Sequence, residues 1–429
     1  FENFNFFNFD TEGAIGLNKV TKALYAAKTD DNIKGVFLEF GMLSGGLSTL
    51  KEMRDAINDF KTSGKFVWSY ADIYTQGSYY VASVSDSVFF NPSGYMEWAG
   101  LSSTQPFMKE MFENIGVNPV VVRGSNNRFK SAVEPLISNE MSPENREQME
   151  TLLGDLWGFL KAEVADSRGI SADSLQAIAD GMKGFIPSGA IKYGLVDKLV
   201  FRAELEERFK NLTGAKSIRS IPMITVLRYE KSLSVNGSEN RIAVIYAQGD
   251  IVMGDGDAGS IGPNTYVKAI QKAVADDDVK AIVLRVNSPG GSALSSDIIH
   301  NELVKAQKVK PLIVSMGDYA ASGGYFIACP ADTIIAQPNT VTGSIGVFMM
   351  FFTAQELLED KMGVHFNTVK TAEMADLGNL SRDLTPQEYA MLQKGVDETY
   401  GQFISRVTSG RGLESLFVDS IGQGRVWSG

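Results

Sequence analysis

The chain has 429 residues, more than one hydrophobic core ordinarily holds, so two or more domains are expected. A hydrophobic share of 44%, a charged share of 21% and a net charge of −11, with both signs mixed along the chain, describe an ordinary globular protein and argue against nucleic acid as a partner. The single cysteine, Cys329, excludes an internal disulfide, and with only two histidines beside it an ordinary structural zinc site cannot be built. No metal or other cofactor is expected. There is no apolar run of about eighteen residues to span a membrane and no visible signal peptide. The start, Phe1-Glu-Asn-Phe-Asn-Phe-Phe-Asn-Phe-Asp10, lacks an initiator Met and is read as trimmed.

In chain order, Val36–Phe40 reads as a strand, Thr49–Thr62 as a helix with apolar spacing at Leu50, Met53 and Ile57, Phe66–Ser69 as the next strand and Gln76–Val84 as a helix. The same order returns at 281–286, 295–308, 312–315 and 322–329, preceded by a strand at Arg241–Tyr246. Strands alternating with helices imply parallel sheets with right-handed crossovers. Two longer helices are expected at about 143–167 and 386–409, each opened by a Ser/Thr-Pro pair that serves as N-cap and first helical residue.

The recurrence is an internal repeat. Asp30-Asp-Asn-Ile-Lys-Gly35 resembles Asp276-Asp-Asp-Val-Lys-Ala281 at an offset of 246 residues, and at that offset Asp72 meets Asp318, Gly77 meets Gly323 and Tyr79 meets Tyr325. Two long copies make two similar α/β domains rather than a solenoid. The expected division is 1–228 and 241–429, joined by a polar, aperiodic linker at 229–240. The counterpart of the strand at 241 would precede residue 1, and that of Gly189–Asp197 would follow Gly429, so both ends are expected to be trimmed.

Two glycine-rich corners follow buried strands. Asn287-Ser-Pro-Gly-Gly291 ends the strand at 281–286, and Asp318-Tyr-Ala-Ala-Ser-Gly-Gly-Tyr325 joins the strand at 312–315 to a helix. Such corners lie side by side on one edge of a parallel sheet, where ligands bind, and bring backbone close to a ligand. Ser322 at the second corner reads as a helix cap or as a nucleophile. The repeat breaks there, since Gln76 is the counterpart of Ser322, and Lys130 has no clear lysine counterpart in Ala372–Gly378. One half offers a serine and the other a lysine, which suggests one composite site.

These motifs carry a family resemblance. Asn287-Ser-Pro-Gly-Gly291, Ala320-Ala-Ser-Gly-Gly-Tyr325, Thr342-Gly-Ser-Ile-Gly-Val347 and Phe129-Lys-Ser-Ala-Val-Glu-Pro135 resemble the signal peptide peptidase A (protease IV) family of the Clp protease/crotonase superfamily, over nearly the whole chain. The resemblance implies two tandem Clp protease/crotonase-like domains in a dome-shaped homotetramer. Its activity would be ATP-independent serine endopeptidase cleavage of apolar peptides, cleaved signal peptides among them. The implied place is the periplasmic side of a bacterial inner membrane, held by an N-terminal anchor absent from this chain. Residue by residue it implies Ser322 as nucleophile and Lys130 as general base. Gly290, Gly291 and Gly323 are the oxyanion donors expected from the corner geometry, and Ser344 is a further candidate, to orient the lysine.

The residues bear on this independently. A serine hydroxyl needs a base, and His300, read as a solvated helix position, and His365, read as a strand start, match no triad spacing. A lysine serves as base only when burial lowers its pKa, as at a dry interface. Glu134, four residues on, must then point elsewhere. The run Val347–Phe352 reads first as buried core, with the lining of a substrate groove or a subunit contact as the alternatives. A crotonase-like acyl-CoA enzyme and an inactive assembly scaffold are the alternative functions; retention of both Lys130 and Ser322 speaks against the scaffold.

Overall fold

The computed structural model describes residues 15–40, 43, 45–234 and 237–429; the Phe-rich start lies outside the described residues. They form two compact units, one of residues up to Leu101 together with Asp155–Gly237, the other of Ser102–Gly154 and Ser238–Gly429. The units thus follow a different division from the sequence halves. Asn118–Arg123 pairs antiparallel with Phe348–Thr353, which draws residues 102–154 into the second unit.

The first unit holds a four-stranded parallel sheet ordered Gly35–Glu39, Phe66–Tyr74, Ser87–Met96, Lys198–Leu199. Leu24, Leu50, Ile57, Phe60, Val67 and Leu160 build its main core, and Tyr70, Phe89, Leu205 and Phe209 a smaller one. Each such buried aliphatic or aromatic side chain contributes about 1.5–3 kcal/mol. The expected linker is helical as far as Ser232, because Tyr229 is buried and donates to Asp30 Oδ2 at 2.9 Å.

The second unit's sheet runs Val426–Ser428, Val341–Gly343, Leu312–Ala321, Val279–Ser288, Arg241–Gln248, parallel except for Val426–Ser428, with Thr333–Ile335 also on Leu312–Ala321. Ile282, Leu284, Val286, Leu312 and Val314 pack beneath Ile270, Ile299 and Leu303 of the helices Pro263–Ala275 and Ala293–Gln307.

Both units are α/β with parallel sheets, and the repeat is visible element by element. The helices Leu17–Thr29 and Leu47–Lys61 stand 246 residues before Pro263–Ala275 and Ala293–Gln307. The long helices Pro143–Arg168 and Pro386–Arg411 each have 26 residues. Thr385 caps the latter through Glu388 N–H at 3.2 Å in a reciprocal box with Glu388, as its Thr-Pro start implies. None of the described helices is long and apolar enough to cross a membrane.

Candidate active site

Ser322 directly follows the strand Leu312–Ala321 and stands at the N-cap of the helix Gly323–Ala328, but its hydroxyl caps nothing. Its backbone lies at φ 52°, ψ −121°, a region non-glycine residues seldom adopt. Neighbours hold it there: Ser322 N–H donates to the Gly343 carbonyl and Phe326 N–H to the Ser322 carbonyl, both at 2.9 Å. The corner thereby turns the hydroxyl away from the helix, which separates it from an ordinary cap serine.

The hydroxyl meets Lys130. Lys130 Nζ lies 3.2 Å from Ser322 Oγ, 2.8 Å from Ser344 Oγ and 3.1 Å from the Ser344 carbonyl. Ser344 also has positive φ, at 50°, and its N–H donates to the Arg425 carbonyl at 2.7 Å. Lys130 is 4% exposed, and burial lowers its pKa from 10.5 to about 8. All three residues belong to the second unit, so the lysine from the first half of the sequence is buried inside the unit that carries the serine. Glu134 does point elsewhere. It accepts from Ser142 Oγ at 2.6 Å and Asn145 Nδ2 at 2.9 Å, with Arg123 at 3.8 Å.

This burial has a measurable cost. Below pH 8 the amine is protonated in folded and unfolded chains alike, and the folded state carries the full desolvation penalty. Between about 8 and 10.5 the unfolded chain holds a proton that the folded one has lost, so stability rises with pH across that window. Lys130→Met is therefore expected to stabilise the protein at pH 7, with a ceiling of roughly 3 kcal/mol, and to lose the advantage near pH 10.5. Urea denaturation at the two pH values checks it; equal stabilities at pH 7 would contradict a costly buried lysine.

The glycine corners adjoin the serine. A Cβ on Gly290 (φ 111°) would sit 2.7 Å from Gly323 N and 2.8 Å from Ser322 Cβ, and one on Gly323 would sit 3.2 Å from Gly291 N. The three expected donors are not equivalent. Gly290 N–H donates to Ser288 Oγ at 3.1 Å, whereas the N–H groups of Gly291 and Gly323 meet no protein acceptor among the described residues. Two adjacent free N–H groups beside a strained serine can hold an oxyanion.

The equivalent corner of the first unit is filled. Gln76 Oε1 accepts from Ala99 N–H at 3.0 Å and Gly100 N–H at 2.9 Å, and its Nε2 donates to the Gly100 carbonyl at 3.1 Å. Trp98, the counterpart of Ser344, is fully buried there.

Three sequence expectations change. His300 is buried rather than solvated, edge-on to Phe326, with both ring nitrogens unpartnered among the described residues; burial pushes its pKa down to about 4. His365 lies in an irregular exposed segment, not at a strand start. Val347–Phe352 is not core: Phe348, Met349 and Met350 are 37–41% exposed on a two-stranded ribbon. The Ser344 carbonyl is a second acceptor for the lysine, one that no side-chain pattern encodes.

A serine freed from capping, a dry lysine bonded to it and a pair of free glycine N–H groups make up the apparatus of a serine hydrolase. The comparisons specify which. A model of peptidase family S49 matches residues 59–216 and 304–429. Protease 4 of Haemophilus influenzae is 38% identical over 423 residues, covering 96% of this chain and 68% of that protein. Protease 4 of Salmonella typhi is 36% identical over 420 residues, covering 96% and 67%. The chloroplastic serine protease SPPA of Arabidopsis thaliana is 30% identical over 430 residues, covering 97% and 62%. The chain spans about two thirds of the length of these relatives. It belongs to peptidase family S49 and is a serine peptidase.

Proposed function

We propose that this serine peptidase is an ATP-independent endopeptidase that degrades apolar peptides, cleaved signal peptides among them, through Ser322 and Lys130. The observation that carries the reading is the 3.2 Å hydrogen bond between the Ser322 hydroxyl and an amine whose pKa burial lowers to about 8. Neutral Lys130 takes the Ser322 proton as Oγ attacks the scissile carbonyl. Gly291 and Gly323 N–H donate to the oxyanion. Lys130 returns the proton to the leaving amine as the C–N bond breaks, leaving an acyl-serine. The same amine then deprotonates a water whose oxygen attacks the acyl carbon, and it returns that proton to Ser322 Oγ as the C–Oγ bond breaks, releasing the acid product and restoring the neutral amine. Ser344, through hydroxyl and carbonyl, aims the amine. Gly290 shapes the corner while its own N–H is held by Ser288.

The exposed Phe348, Met349 and Met350 support apolar peptides as substrates. A homotetramer on the periplasmic side of a bacterial inner membrane completes the proposal. Self-association is supported by the irregular segment 363–381, the repeat's counterpart of the lysine segment, on which Phe366 and Leu380 are exposed and Val369 is 98% exposed. Phe366→Asp with Val369→Asp is expected to lower the mass measured by light scattering; an unchanged mass would place self-association elsewhere.

A fluorophosphonate probe tests the chemistry. It is expected to label Ser322 alone in the wild type and to label Lys130→Ala at least about 10²-fold more slowly. Labelling at another serine, or none, would overturn the reading in favour of an acyl-CoA enzyme or a scaffold.

A further inference from the structure

A turn and one amide surround the lysine. The turn Gln423–Arg425 is pinned to the lysine segment by Phe129 N–H on the Gln423 carbonyl at 2.9 Å. It is pinned to the Ser344 segment by Gly424 N–H on the Ile345 carbonyl and Ser344 N–H on the Arg425 carbonyl, both 2.7 Å. Gly424 (φ 82°) lies against the lysine so closely that a Cβ there would be 2.6 Å from Lys130 Cβ and N. Behind this layer stands Gln148, on the helix Pro143–Arg168 and 3% exposed. Its Nε2 donates to the Phe129 carbonyl at 3.0 Å and to Ser131 Oγ at 2.7 Å, and its Oε1 accepts Val426 N–H at 3.2 Å.

We infer that Gln148 is a positioning residue for the peptidase reaction, its buried amide tying both neighbours of Lys130 to Val426 beyond the turn and so holding the amine against Ser322 and Ser344. The inference rests on Lys130 as general base. A buried amide with both donors and its acceptor used is a rigid tie, and displacement of a reacting group by about 1 Å costs on the order of 10²-fold in rate.

The charged groups on the surrounding elements are turned to other partners. Arg425 stacks over Phe129 at 4.8 Å and Trp427 at 4.6 Å and pairs with Glu147 at 3.0 Å. Glu134 faces Ser142, Asn145 and Arg123, and Asp419 faces Tyr400 and Asn126. Among the described residues none forms an ion pair with Lys130, so its basicity depends on where the loop holds it.

The test uses Gln148→Leu, which removes all three bonds, and Gln148→Glu, which keeps the volume and the acceptor for Val426 but loses both donors. Competent sites are counted by fluorophosphonate titration, and kcat and KM per titrated site are measured against pH. Both variants are expected to lose about 10–100-fold in kcat per site, with KM within about threefold and the pH midpoint displaced upward. Per-site kcat and midpoint equal to the wild type would reduce Gln148 to a structural residue and overturn the inference. Should Gln148→Leu fail to fold, Gln148→Glu decides by the same criteria. Lys130→Met, measured alongside, separates the two ideas. An active Lys130→Met enzyme sinks the base itself, whereas a dead one beside unperturbed Gln148 variants sinks the positioning role alone.

Discussion

Ser322→Ala and Lys130→Ala are each expected to lower kcat/KM on a small apolar peptide ester by about 10⁴-fold or more, and the double variant by little beyond either single one. A nucleophile and its base act as a unit, so removing one forfeits nearly all that both supply. The geometry makes the pair interdependent: Lys130 Nζ is within 3.2 Å of Ser322 Oγ, and neither histidine takes part in that bond. His300→Leu and His365→Ala should keep activity within about threefold. His300 is buried edge-on to Phe326 with both nitrogens unpartnered among the described residues, and burial pushes it toward the neutral form. A folded histidine variant that had lost activity would transfer the base role to that residue.

The second large effect belongs to the glycine corner. Gly290→Ala is expected to cost about 10²–10³-fold in kcat, the loss typical of a damaged oxyanion donor. The added methyl would lie 2.7 Å from Gly323 N, one of the two free donors, and 2.8 Å from Ser322 Cβ, so it displaces donor and nucleophile together. Its backbone at φ 111° adds strain for any L side chain. Kinetics per fluorophosphonate-titrated site check the effect; an alanine variant with wild-type kcat would mean that Gly290 is only a turn residue.

Much of this was legible in the sequence. The βαβα order, the 246-residue offset and the long helices appear where periodicity and capping pairs put them, because those signals are local. The Gln76 break also has a structural counterpart, since its amide occupies the corner that Ser322 leaves open. What failed to show depends on contacts distant in sequence. Residues 102–154 join the second unit through pairing with Phe348–Thr353, and the same pairing turns an apolar run from core into a half-exposed ribbon. His300 has helical spacing that suits a polar face, yet Phe326 covers it. The free and occupied N–H groups of Gly290 and Gly291 differ only by the Ser288 hydroxyl, a distinction invisible in a pair of identical glycines.

The most direct test of a serine activated by a buried lysine is the pH dependence of kcat/KM for the wild type beside Lys130→Arg. The base must be neutral to accept the Ser322 proton, and kcat/KM reports the free enzyme. With the amine lowered to about 8, activity should rise tenfold per pH unit in mild acid and level off above that midpoint. Lys130→Arg should stay inactive throughout, since a guanidinium does not deprotonate in that range. A wild-type profile already flat from about pH 6 upward, below any plausible lysine titration, or an active Lys130→Arg enzyme, would contradict the account.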